Sequence, residues 1–189
     1  MKLTYFLHHI VTGALHEDGF ADACDGLGGV RPKERVLEIM RDSRIGAYGV
    51  IGLIFMIGTK GLALSAMSAT DVFFVLIAGH TASRAAMVWV MASSDYVREK
   101  GAGSAVAGGI DRAALILALI TTGLAFLPLV FCMRLEAIFC GLVGLVLAHY
   151  LMRRWYEPRL GGYTGDCLGA VQQCSEVGFY LGLLVVIGA

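Results

Sequence analysis

Five long apolar segments, at about residues 47–67, 71–92, 113–132, 135–151 and 169–189, leave this chain little choice of fold. Each approaches the ~20 residues that a helix needs to cross the hydrocarbon core of a bilayer. Inside lipid, backbone N–H and C=O groups find no water, so segments of this kind become helices. Composition agrees. Hydrophobic residues make up 57% of the 189 and charged residues only 16%, against roughly 45–50% and 25% in soluble domains. Mean hydropathy is +0.72. A further apolar run, Tyr5–Leu15, is too short to cross alone, but continued through Asp25 it makes one helix of about 23 residues, with acids near one end. The expected architecture is an all-α, polytopic transmembrane bundle of about six helices. No strand pattern, internal repeat or signal-peptide pattern is visible. The five cysteines (24, 132, 140, 167, 174) show no CxxC spacing and read as buried thiols in a reducing setting.

The acids after the first run are the densest chemistry in the chain. HEDGFADACDG, residues 16–26, carries Glu17, Asp18, Asp22 and Asp25. On a helix Asp18, Asp22 and Asp25 stand at i, i+4 and i+7, within roughly 60° of one another. Carboxylates crowded on one face repel unless a hard divalent cation sits between them. A solvated acidic face is the alternative, and the adjoining apolar run makes it the poorer account. Gly19 and Gly26 remove side chains beside the acids, leaving room for a ligand.

Three other polar stretches stand out. Gly28, Gly29 and Pro32 mark a turn, with Pro32 in the first turn of an amphipathic helix that carries Val36, Ile39 and Met40 on its apolar side. RDSRIG follows, residues 41–46. Arg41 and Arg44 flank Asp42 and Ser43 and suit an anion clamp, because guanidinium forks match phosphate oxygens. His80, Ser83 and Arg84 lie inside an apolar segment, where an Arg normally faces the bundle interior. Lys60 is expected to snorkel to the nearer interface. In the loop expected over 152–168, Thr164 is a candidate helix cap and Gly161, Gly162 and Gly165 permit tight turns. Asp166 then opens the last segment, where Gly169, Ala170 and Gln173 share its stripe and Glu176 sits at the edge. Small residues on that stripe allow close helix approach.

Alternation of the spans sorts the loops. One side holds Arg31, Lys33, Arg35, Arg41, Arg44, Arg98, Lys100, Arg112, Arg153, Arg154 and Arg159; the other holds Arg134 alone. The positive-inside rule assigns the first side to the cytoplasm. The same assignment gathers the acids, RDSRIG and GYTGD on that face, as one site. The flexible-looking loop over 94–112, with its Gly/Ala/Ser-rich Gly101–Gly109, carries no recognisable chemistry.

Carboxylates for Mg²⁺, Arg groups for anions and an interfacial position fit phosphoryl transfer. ALHEDGFADACDG, LEIMRDSRIGAYG, HTASR and GYTGDCLGAVQQCSE together resemble the signatures of the cobalamin-5′-phosphate synthase family, the adenosylcobinamide-GDP ribazoletransferases. The likeness runs from Leu15 to Glu176. It implies a single integral-membrane catalytic domain over 1–189, lacking a hydrophobic N-terminal stretch usual in the family. It implies that a hydroxyl of α-ribazole, or of its 5′-phosphate, attacks the phosphorus on the corrinoid arm of adenosylcobinamide-GDP and expels GMP. The chemistry is similar to that of CDP-alcohol phosphotransferases. On this reading Asp18, Asp22 and Asp25 hold Mg²⁺, with Asp42 a fourth candidate. Arg41, Ser43, Arg44 and Arg84 contact the pyrophosphate, and Gln173 and Glu176 shape the substrate pocket. Asp166 and Asp25 are the candidate catalytic carboxylates, Asp166 as a further ligand or as the base. The expected setting is the inner membrane with the site facing the cytoplasm, and a homo-oligomer is compatible with it; no nucleic acid is implied. Two rivals are weaker. A membrane prenyltransferase needs a second Asp-rich cluster, and a transporter should display repeat symmetry and interrupted helices at depth.

Overall fold

The computed structural model describes residues 13–98 and 110–188. Most of the expected first apolar run, Lys100 and Gly101–Gly109 lie outside the described residues. Among those described, the chain is helical: α1 Leu15–Leu27, α2 Lys33–Ile39, α3 Ala47–Ser65, α4 Ala69–Ser93, α5 Arg112–Cys132, α6 Leu135–Leu160 and α7 Gly165–Ile187. Helices α3 to α7 are each long and apolar enough to cross a membrane, and the chain is a multi-pass membrane protein.

Two boundaries differ from expectation. The acidic helix does not continue the upstream run. Gly13 and Ala14 carry φ of 59° and 54°, a left-handed conformation that an α-helix cannot contain. Helix α1 therefore starts at Leu15 and has only 13 residues, too few to span. Helix α6, expected to end near 151, runs on to Leu160. Its polar end stays helical because Arg153 and Glu157 pair at i, i+4 while Tyr156 and Leu160 are fully buried. Pro158 falls in the last turn, and Gly161, at φ 71°, closes the helix by donating its N–H to Glu157 O at 2.8 Å.

Helix α7 is the axis of the bundle. More than half of its spanning window is buried (56%), against 11% for α5, which turns most of its Leu and Ile side chains outward. α7 packs against α6, α1, α4 and α3. Its contact with α6 is backbone on backbone. A Cβ on Gly178 would collide with Gly144 O, and one on Gly182 with Cys140 O. Small residues four apart allow this approach, the usual solution where lipid provides no hydrophobic drive between helices.

Helix α1 lies on the first turn of α7. A Cβ on Gly19 would come within 3.1 Å of Asp166 Cα, and one on Gly169 within 2.9 Å of His16 O. The space that Gly19 vacates is thus filled by α7 itself, and that of Gly26 by Val36 and Met40 of the α2 segment. Helix α2 is the expected amphipathic piece, with Val36 and Met40 buried and Pro32 as its N-cap, one position ahead of the first turn. Two guanidinium groups close the far end of α1. Arg31 Nη1 donates to Asp25 O at 2.8 Å and Arg159 Nη1 to Leu27 O at 2.6 Å, a cation placement that suits a helix C-terminus.

Asp25 departs from its expected role. Its Oδ2 accepts the Gly46 N–H at 2.7 Å and its Oδ1 the Gly49 N–H at 2.9 Å. The carboxylate caps α3 from another helix, satisfying donors that α3 cannot satisfy itself. Gly46 and Gly49 are required there, since a Cβ on either would strike the Asp25 carboxylate.

Two stability outcomes follow in thermal unfolding of the purified protein. Gly182→Val should destabilise by about 1–3 kcal/mol or more, because the obstacle is backbone that cannot move aside. Gly123→Val, where nothing lies within 4 Å, is the control and should leave the midpoint unchanged. Asp25→Ala should lose about 1–2 kcal/mol through the uncapped α3 while cation binding persists; loss of cation binding with unchanged stability would restore the ligand role.

Candidate active site

The first half of α1, the loop after α2 and the N-terminus of α7 meet at one end of the bundle. There Asp18, Ala21, Asp22, Met40, Arg41, Asp42, Ser43 and Ile45 line a cavity of about 280 Å³. The i, i+4 spacing puts Asp18 and Asp22 on one wall of it. The RDSRIG turn supplies the opposite wall. Two stretches 20 residues apart thus present hard oxygens and a guanidinium to one space.

The other expected members divide. Asp42 lines the cavity, but its carboxylate is gripped by Arg44, with Arg44 Nε at 3.0 Å from Oδ1 and Nη2 at 2.6 Å from Oδ2. These hydrogen bonds hold Asp42 at about 2, well below the usual carboxylate range. Arg44 is itself exposed and is not among the lining residues. Asp25 is absent from the lining, and each of its oxygens accepts an N–H at the start of α3.

Asp166, in the first turn of α7, is not among the lining residues but stands near enough to Asp22 for its charge to act there. Thr164 caps that helix, accepting the Cys167 N–H at 3.3 Å. Asp166 Oδ2 accepts a hydrogen bond from Arg98 Nη2 at 2.6 Å. Arg98 is delivered there by backbone pairing. Tyr163 N–H donates to Asp95 O at 2.9 Å and Val97 N–H to Tyr163 O at 3.0 Å, making a single parallel bridge between Tyr96 and Tyr163. Gly162, at φ 155°, makes room for Asp95 O. Nothing in the loop's composition pointed to Arg98 beyond its contribution to the basic side; a bridge between residues 67 apart has no local signature.

Glu176 and Gln173 do not line this cavity. They belong to a buried network deeper in the bundle. Glu176, fully buried, pairs with Lys60 Nζ at 3.1 Å and His80 Nδ1 at 3.2 Å. It also accepts hydrogen bonds from Tyr180 Oη at 2.8 Å and Gln172 Nε2 at 2.6 Å. Lys60 therefore does not snorkel: it is 2% exposed and neutralises the buried Glu176 carboxylate. A buried charge without such partners costs several kcal/mol. Gln173 Nε2 donates to Glu17 Oε1 at 3.0 Å, tying this network to α1 one residue before Asp18. Arg84, expected at the pyrophosphate, donates instead to His80 O at 2.9 Å on its own helix. Burial and then the Arg84 charge hold the His16 imidazole below its usual range.

Electrostatics at the cavity favour a cation. Burial, then the Asp166 charge, then that of Asp18, raise Asp22 from 3.8 to about 7. Protons bind tightly where carboxylates crowd, and so does a hard divalent ion. Among the described residues, no three acid, imidazole or thiol side chains converge as a finished metal centre. The donors fit an open site of the kind Mg²⁺ prefers, with one or two carboxylates and the remaining positions left to water and phosphate oxygens.

Comparison with known proteins gives these residues a context. The family described as cobalamin-5-phosphate synthase matches residues 2–184. A protein of Leptothrix cholodnii named adenosylcobinamide-GDP ribazoletransferase is 41% identical over 183 residues, covering 92% of this chain and 68% of the relative. A protein of the same name from Ralstonia pickettii is 41% identical over 177 residues, covering 93% and 68%. One from Vibrio cholerae is 37% identical over 191 residues, covering 98% and 70%. No solved structure matches. With five apolar spans and a match along nearly its whole length, this chain belongs to the cobalamin-5-phosphate synthase family and is a membrane-embedded transferase.

Proposed function

We propose that the chain transfers the adenosylcobinamide-phosphate group from adenosylcobinamide-GDP to α-ribazole, or to its 5′-phosphate, with Mg²⁺, at the cytoplasmic face of the inner membrane. The observation that carries this is the shared cavity, in which Asp18 and Asp22 face Arg41 and Ser43. Identically named relatives support the substrates, and the eleven-to-one loop charge supports the orientation.

The step balances simply. The ribazole hydroxyl forms a new P–O bond at the phosphorus attached to the corrinoid arm, the P–O bond to GMP breaks, and the hydroxyl proton passes to a carboxylate. Asp18 and Asp22 would hold the cation, with Asp166 within electrostatic reach. When bound, Mg²⁺ supplies charge neutralisation on the phosphoryl oxygens and on the departing GMP. Arg41 and Ser43 orient the pyrophosphate by guanidinium and hydroxyl hydrogen bonds. Both Asp25 oxygens already accept N–H groups at the start of α3 and Asp22 would hold the cation, so the proton goes to Asp166. The Lys60–Glu176–His80 group is paired within itself and serves to lock α3, α4 and α7 together behind the cavity.

Purified protein incubated with adenosylcobinamide-GDP, α-ribazole and Mg²⁺ should release GMP. Asp22→Ala should insert normally and lose this turnover by more than 100-fold, in line with the typical loss of transition-state charge stabilisation; wild-type rates would refute the cation role. Asp22 also sets a pH dependence. Its folded value of about 7 exceeds the 3.8 of the unfolded chain, so the metal-free fold is favoured at low pH and loses that contribution as pH rises from about 4 through 7. A cation must displace the proton, so its apparent affinity should fall about tenfold per unit below pH 7 and level off above it. A titration with Mn²⁺ between pH 5.5 and 8.5 checks this, and a flat profile would contradict it.

A further inference from the structure

Arg98 is a largely buried cation paired with Asp166 and close enough to Asp22 to act on it, and the reaction scheme gives it no task. Its side chain is 10% exposed. Nη2 is engaged with Asp166, while Nε is buried and has no hydrogen-bond partner among the described residues. A guanidinium carries five donors in a rigid fork. Leaving one of them buried and unmade is costly, unless another acceptor comes to the same place. The backbone bridge at Tyr96–Tyr163 anchors the chain two residues before Arg98, so the side chain is held beside the acids by structure on both sides: the bridge behind and Asp166 ahead. A cation confined among carboxylates is in the position that a divalent ion would compete for. A divalent ion held by Asp18 and Asp22 beside Asp166 repels the guanidinium and loosens its pairing, and the fork then needs another anion.

Resting on the function proposed above, we propose that Arg98 is an anion-binding residue of this site with two alternative partners. Without a divalent cation it neutralises Asp166. With the cation bound, it turns its fork to the pyrophosphate oxygens of the substrate. Arg98, on the α4–α5 connection, then joins Arg41 as a second guanidinium for the pyrophosphate. Arg41 and Arg98 approach from loops that share no local sequence, and each is well suited to one half of a bridging diphosphate.

The two partnerships predict opposite responses to one substitution. In the full-length protein in lipid nanodiscs, Mn²⁺ affinity is measured with the metal alone, by electron paramagnetic resonance. Affinity for inorganic pyrophosphate is then measured at saturating Mn²⁺ by calorimetry. In Arg98→Ala, Mn²⁺ should bind severalfold more tightly, because a competing cation is gone, and pyrophosphate should bind about tenfold more weakly or worse. Arg98→Lys keeps a charge for Asp166 but loses the fork; Mn²⁺ affinity should stay close to wild type while pyrophosphate weakens. If the alanine variant does not fold, the lysine variant alone decides, since unchanged pyrophosphate binding there overturns the proposal. A purely structural ion pair would weaken both ligands together, and that result would also overturn it. Wild-type protein that binds neither Mn²⁺ nor pyrophosphate would instead defeat the underlying reading of the site, and this proposal with it.

Discussion

The close approach of α1 to the first turn of α7 is the constraint on which the site depends. Gly19 and Gly169 have no side chains to keep the two backbones apart. The short acidic helix can therefore lie directly on the N-terminus of the central span, with Asp18 and Asp22 beside Asp166. Any larger residue at either position would push α1 outward and open the carboxylates. The positions that look from the sequence like space for a ligand are thus occupied by the protein itself, and the space for a ligand lies one face further round.

Behind that contact, the bundle uses buried polar groups where a soluble protein would use oil. Apolar side chains gain little by leaving lipid for each other, so helix association relies on backbone proximity and on polar partners. Both are present on α7. Its glycines meet α6, and its Gln172, Gln173 and Glu176 reach Ser83, Glu17, Lys60 and His80 on three other helices. A charge-balanced network at that depth penalises every arrangement that separates its members, which gives the bundle one register. The acids of α1 inherit their orientation from it through the Gln173–Glu17 hydrogen bond.

The cavity is assembled at the ends of elements, where backbone groups need partners. Asp25 and Asp18 sit two turns apart on α1, yet one is consumed by the N-terminus of α3 and the other lines the open space. Asp42 and Arg44 satisfy each other across a tight turn. Such choices are made by whichever donor happens to be nearest in three dimensions. Fewer carboxylates therefore line the cavity than the acidic motif contains, and Asp25 braces α3 instead.

Much was legible beforehand. The five long spans came from apolar runs, because lipid forces every such run into a helix, while the first run was too short to cross; the helix over 33–39 and the Thr164 cap followed from periodicity and residue chemistry, and the gathering of the acids and RDSRIG on one side from alternation of the spans. The left-handed break at Gly13–Ala14 and the extension of α6 to Leu160 were less visible, since a glycine in an apolar run is ambiguous and a polar helix end looks like a loop. What the amino-acid order determined alone was local: which segments cross, which face of α1 is acidic, which loops are basic. The tertiary structure decided which of those charges meet. Lys60 with Glu176, Asp25 with α3 and Arg98 with Asp166 join residues far apart in the chain, and an ion pair depends on distance in space, which no spacing along the sequence encodes.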